Sequence, residues 1–208
     1  MSSESDPQRR RNPRGEGGRL REDIVTGAAA LLDQSGESGA VTLRAIARSL
    51  GIAAPSIYRH FDSHAAIMFA VVEKAFSELE SELRSAVEAA GEEPRDQLLA
   101  TCHAYLRFAA EHPGPYRAMF GGVWIPELDE TITEEALREL GATAMGMLKT
   151  VLQRCVEAGV STSRDPDADA IALWLGLHGI AHQRSATRII PGPEGIENRI
   201  ITALAHLD

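Results

Sequence analysis

The sequence predicts an all-α protein of about nine helices, a small N-terminal helix-turn-helix unit joined to a larger C-terminal helical bundle. Three observations predict it. Apolar residues recur at i, i+3, i+4 and i+7 through most of the chain, no segment carries sustained period-two alternation between hairpin turns, and glycine or proline interrupts the pattern at helix-length intervals. At 208 residues, 44% hydrophobic and 25% charged, the chain has the composition of an ordinary globular protein and length for one or two compact units.

Residues 1–18 are rich in Ser, Arg, Gly, Pro and Glu without apolar periodicity, and are expected to form a disordered basic arm. A first helix follows from about Gly18 on Leu20, Ile24, Ala28, Leu31 and Leu32, and stops at Ser35-Gly36. Thr42 stands where an N-cap belongs, ahead of Leu43, Ile46, Ala47 and Leu50, a helix of about two turns ended by Gly51. A third short helix opens at Ala54-Pro55, since proline is tolerated in a first turn, and closes at Phe61 and Asp62 with Ile57 facing inward. Ile67, Val71, Val72, Ala75, Phe76, Leu79 and Leu83 mark a long fourth helix over 64–87, long enough to link two domains. A fifth runs over 95–111, and Pro113-Gly114-Pro115 separates it from a short sixth over 116–120. A capping box, Thr131 with Glu134, opens a seventh helix that continues to Gly159. Asp165-Pro166 starts the eighth, to about Arg188, and the last spans 194–207. The domain division expected is 1–18 arm, 19–63 helix-turn-helix, 64–208 bundle.

Charge is distributed unevenly. Over residues 1–62, nine Lys/Arg meet eight Asp/Glu, a net of +1; over 63–208, twelve meet twenty-two, a net of −10. A phosphate-binding surface therefore belongs near the N-terminus, where Arg9, Arg10, Arg11, Arg14, Arg19 and Arg21 either touch DNA or keep a tail solvated. Cys102 and Cys155 show no zinc spacing and are expected to be buried free thiols in a reducing cytoplasm. No apolar run reaches the roughly 18 to 20 residues of a membrane span, and no apolar segment follows the arginines as an export signal requires. No cofactor or metal is expected. His178 and His182 share a helix face at i, i+4, as zinc sites do, but no carboxylate lies near them in sequence to complete a site or act as base.

In the third helix, Ile57 and Phe61 point to a core while Pro55, Ser56, Tyr58, Arg59 and His60 offer a polar, aromatic and basic outer face. Such side chains bond phosphates or base edges in a major groove, and no carboxylate occurs from Ala45 to Phe61 to repel DNA. The stretch Thr42-Leu43-Arg44-Ala45-Ile46-Ala47, then Leu50-Gly51-Ile52, then Ser56-Ile57-Tyr58-Arg59-His60-Phe61, resembles the DNA-binding domain of the TetR family over about residues 20–66. The resemblance implies a dimeric, ligand-responsive repressor of a palindromic operator, with Thr42, Arg44, Pro55, Ser56, Tyr58, Arg59 and His60 as DNA contacts. Where that family usually opens the next helix with a phosphate-binding lysine, this chain has His64, a weaker partner when neutral.

The C-terminal part supplies large side chains that either pack solid or leave a pocket. Trp174-Leu175-Gly176-Leu177-His178-Gly179, with the His112-to-Phe120 stretch, resembles a WHG-type C-terminal domain of the same family, which implies dimerisation and effector binding. The expected effector is an uncharged, largely apolar small molecule among Tyr105, Phe108, Met119, Phe120, Trp124, Trp174 and His178, with His103 or His178 as polar anchor. The eighth helix is apolar on two sides, Leu173, Leu177 and Ile180 on one face and Ile171, Trp174, Leu175, His178 and His182 on another, and so needs two partners: the subunit core and a twofold mate. Ile196, Ile200, Ile201 and Leu204 place the last helix beside it in a homodimer interface. An enzyme built on His103, His178 and His182, or an adaptor using the acidic surface, are the other readings.

Overall fold

The computed structural model describes residues 16–35, 38–121, 124, 126–128, 132–186 and 193–208. Its elements are α1 (Glu16–Ser35), a one-turn 3-10 helix (Ser38–Ala40), α2 (Leu43–Ser49), a second 3-10 helix (Ala54–Arg59), α3 (His64–Ala89), α4 (Pro94–Glu111), α5 (Pro113–Phe120), α6 (Glu134–Glu139), α7 (Ala142–Glu157), α8 (Pro166–Ala186) and α9 (Ile196–Leu204). Among the described residues no strand forms beyond an isolated bridge between Ser161 and Leu207. The all-α class read from the sequence holds.

Several boundaries differ from expectation for local physical reasons. α1 begins at Glu16, ahead of Gly18. Arm residues 1–15, with Arg9, Arg10, Arg11 and Arg14, lie outside the described residues, as do Gly36 and Thr131. The expected third helix is 3-10 rather than α: the Ser56 N–H donates to the Ala53 carbonyl and the His60 N–H to the Ile57 carbonyl, the i to i+3 bonds of a tight turn. α5 begins on Pro113 itself, because a proline in the first turn sacrifices no helical hydrogen bond. The expected seventh helix is two helices. Its N-cap is Thr133, whose Oγ1 accepts from the Ala136 N–H at 3.1 Å, and it breaks at Gly141, where φ is +77°. That glycine is required twice over, since a Cβ there would sit 2.5 Å from Phe76 Cε1. α8 starts as expected, with Asp165 Oδ1 accepting from the Ala168 N–H. α9 is shorter than expected and opens on left-handed Gly195.

Two apolar cores share one helix. Ile24, Leu32, Val41, Ile46, Ile57 and Phe61 pack with Ile67, Val71 and Phe76 from the first half of α3. Leu79 and Leu83, from its second half, join Leu98, Cys102, Phe108, Leu152, Leu173 and Leu177. The head's core thus extends beyond residue 64. At about 1.5–3 kcal/mol for each large apolar side chain fully buried, these contacts dominate whatever holds α3 in place. α5 ties the two units again: the Gly114 N–H donates to Asp33 Oδ1 at 2.7 Å, and a Cβ on Gly114 would meet the backbone of Leu32 and Asp33 at 2.5 Å. Only glycine lets α5 approach the end of α1 so closely.

Candidate nucleic-acid interface and ligand cavity

Thr42 caps α2, its Oγ1 accepting from the Ala45 N–H at 3.1 Å, so this hydroxyl is oriented by the helix start it stabilises. Arg44 follows, exposed, in the first turn of α2. Gly51, at φ +65°, turns the chain toward the second 3-10 helix. There Ile57 and Phe61 are buried, and Tyr58 stands 56% exposed. With more than half of its surface in water, Tyr58 lies outside the buried core. Arg59 is exposed beside it, its guanidinium 3.4 Å from Ser56 Oγ. Pro55 is exposed, while Ser56 and His60 are partly so. Ser63 caps α3, accepting from the Ala66 N–H, and places half-buried His64 on the first turn. Thr42, Arg44, Tyr58, Arg59 and His64 thus belong to three consecutive elements held together by one small core, and Arg21 covers that core's edge, 4.9 Å over the Phe61 ring.

A cavity of about 360 Å³ opens in the bundle between α3, α4, α7 and α8. Its walls include Phe76, Leu79, Tyr105, Phe120, Leu148 and Trp174, and Arg138 of α6 stands on its lining. Behind Tyr105 runs a chain of polar groups. Its hydroxyl lies 3.1 Å from the Tyr116 hydroxyl, which lies 2.8 Å from His178 Nδ1. His178 in turn stacks on Trp174, ring centroids 5.5 Å apart, and on His182 at 6.3 Å. Burial pushes both phenols up from the usual tyrosine value, so they act as neutral hydrogen-bonding groups. Burial first, and then neighbouring His182, hold His178 below its ordinary value of 6.5, favouring the neutral imidazole. Cys102 lies on the cavity lining, and burial raises its thiol further than that of Cys155, which is pushed up to about 11. Such thiols are poor nucleophiles.

A family model described as the tetracyclin repressor-like C-terminal domain matches residues 98–206. A second, described as bacterial regulatory proteins of the tetR family, matches residues 24–71. The chain belongs to the TetR family. Its relatives include the HTH-type transcriptional regulator YobS of Bacillus subtilis (strain 168), 33% identical over 96 residues, 46% of this chain and 48% of that protein. Another is an HTH-type transcriptional regulator of Mycobacterium tuberculosis, 36% identical over 98 residues, 47% of this chain and 44% of that one. The chain spans about half the length of the curated relatives it matches. In fold it is similar over most of its length to the TetR family transcriptional regulator PfmR from Thermus thermophilus, with a TM-score of 0.63, 22% identity, and coverage of 87% of this chain and 94% of that one. The TetR family is one of DNA-binding transcriptional regulators, not of enzymes.

Within this TetR-family chain, the structure brings together only some of the residues singled out for an effector. Tyr105, Phe120 and Trp174 are on the cavity lining, and His178 sits behind them. Phe108 does not reach it, being fully buried in the core with its ring against His112. Met119 packs between the two cores, and Trp124 packs on Phe69 at the head. His103 is not brought to the cavity: its Nε2 bonds Asn198 Oδ1 at 2.8 Å and its Nδ1 lies 3.3 Å from Glu197, so it tethers α4 to α9. The lining that sequence reasoning missed comes from the α6–α7 junction, Arg138 to Leu148, because one continuous helix was expected there. The positive φ demanded at Gly141 leaves no periodicity signal. Among the described residues no group of three His, Cys, Asp or Glu is placed to hold a metal, and no helix is long and apolar enough to cross a membrane.

Proposed function

We propose that the protein is a cytoplasmic, ligand-responsive repressor that binds a near-palindromic operator as a homodimer and is released by a small, largely apolar effector in the cavity. One observation carries this reading: the same 26-residue helix, α3, starts beside the exposed Tyr58–His60 surface and continues as a wall of the cavity through Phe76, Leu79 and Leu83. A ligand that displaces that wall tilts α3 and moves the reading head attached to its N-terminus. Two heads, one from each subunit, read half-sites about one helical turn apart in successive major grooves, and a change in their spacing is what the DNA cannot follow. The effector acts by favouring the DNA-incompetent spacing, and a few kcal/mol of differential affinity suffices. Thr42 and Tyr58 contact phosphates, Arg44, Ser56, Arg59 and His60 reach the groove, and His64 supplies a phosphate contact at the start of α3. The exposed face of α8, with α9 beside it, is the twofold interface.

The test is binding to the DNA upstream of the protein's own gene, followed by fluorescence anisotropy across a salt series. Tyr58→Ala and Arg59→Ala each weaken binding about tenfold or more, and Arg59→Ala also relaxes specificity at the base pair it reaches. Because both side chains are exposed, neither change lowers the melting temperature. Unaltered affinity in both variants refutes the reading head.

A further inference from the structure

We propose that the cavity takes an amphipathic monoanion, an aliphatic carboxylate whose apolar body fills the space against Leu79, Leu148 and Trp174 while its carboxylate meets Arg138 at the rim. The inference rests on the cavity being the effector site and narrows the ligand to a chemical class, replacing the uncharged molecule expected from the aromatic residues alone. Among the described residues lining the cavity, Arg138 is the one charged side chain. Its ion pair among the described residues is weak: Glu134 stands 3.6 Å away, both side chains are more than 70% exposed, and the pair shares one turn of α6. A guanidinium so placed exchanges that partner for a ligand carboxylate at little cost and binds it in a two-pronged geometry.

The interior offers little to a polar group. The Thr101 hydroxyl already donates to the Gln97 carbonyl at 2.7 Å, and the Tyr105 hydroxyl is engaged with Tyr116. A polar atom carried into the centre goes largely unpartnered, whereas one left at the rim is met by charge and water. The sixteen-residue helix α7 reinforces the sign. Gly141 and Ala142 at its N-terminus line the cavity, no side chain caps it, and its first turn holds no acid, so the positive end of its dipole lies beside Arg138. At the roughly 30 Å³ that a water molecule occupies in the liquid, the cavity holds on the order of a dozen non-hydrogen atoms.

Decanoate and 1-decanol, each of about a dozen non-hydrogen atoms, are matched probes of this size. Calorimetric titration of the full chain is expected to give decanoate about tenfold tighter binding than decanol, an advantage that narrows as salt rises. Arg138→Gln removes the advantage, bringing decanoate down to the level of decanol. Ala144→Trp, which fills the cavity from α7, weakens both probes. Equal binding of the two probes by the unmodified protein, or a decanoate advantage that survives Arg138→Gln, overturns the charge inference and leaves the cavity as the effector site. Binding of neither probe, or undiminished binding of both by the Ala144→Trp variant, overturns the cavity reading and the inference with it.

Discussion

The Tyr116 hydroxyl lies 2.8 Å from Nδ1 of His178, joining α5 to α8 through one phenol. The same hydroxyl lies 3.1 Å from that of Tyr105 on α4, so three helices meet at one buried hydroxyl. Tyr116→Phe keeps the ring packing but removes both short bonds at this hydroxyl, leaving only the longer 3.5 Å contact between the Tyr105 hydroxyl and His178 Nδ1. A loss of about 1–2 kcal/mol in unfolding free energy is expected, measured by urea denaturation. A neutral result places the polar chain outside the stability of the bundle.

His178 links stability to pH. Its folded-state pKa is held below 6.5 by burial, and secondarily by His182, so the unfolded chain takes up a proton more readily than the folded one. The neutral form is therefore favoured without penalty above about pH 6.5, and stability falls as pH drops through that value, levelling off below the folded-state pKa. The melting temperature is expected to fall between about pH 7 and pH 5.5, with a shallower fall in His178→Asn. Superimposable pH profiles for the two proteins exclude His178 as the source.

Gly114→Ala is expected to separate the two cores. The new Cβ meets backbone atoms of Leu32 and Asp33 at 2.5 Å, and backbone cannot turn aside as the tip of a flexible side chain can. α5 must shift away from α1, at a cost of about 1–3 kcal/mol and with loss of the hydrogen bond from Gly114 to Asp33. Thermal unfolding measures the cost, and faster amide exchange at Gly114's position and through the last turn of α1 locates it. An unchanged melting temperature means that α5 moves freely relative to the head.

Ile171 and Leu175 are 44% and 55% exposed, one turn apart on α8. In the proposed dimer they are covered by the twofold mate. Leu175→Asp places like charges across the symmetry axis and is expected to yield a monomer in sedimentation analysis, with the subunit's helical content unchanged and operator affinity lost. A dimer that persists at micromolar concentration puts the interface elsewhere.

The helix order was legible because amphipathic period and end signals are local. Leu43, Ile46 and Ala47 announce α2, Asp165-Pro166 announces α8, and the spacing of Ile57 and Phe61 already separates the buried from the exposed face of the reading head. The effector site was less legible for a specific reason. Aromatic residues are conspicuous in a sequence, but whether each one fills space or borders it depends on neighbours far along the chain. Phe108 and Trp124 fill their surroundings, while Trp174 borders a cavity. His103 and His178 look alike in the sequence, yet α4 turns the first toward Glu197 and α8 turns the second toward Tyr116.

The sequence by itself determined the all-helical architecture and the position of the helix-turn-helix, since both follow from residue spacing within one or two turns, and its motifs carried the resemblance to the TetR family. Only the tertiary structure decided that residues 134–157 form two helices rather than one, that Gly114 must be glycine, and that Arg138 borders the cavity. Those facts depend on distances between elements remote in the chain, Gly141 against Phe76 and Gly114 against Leu32, and close packing across such distances leaves no periodic mark in either partner.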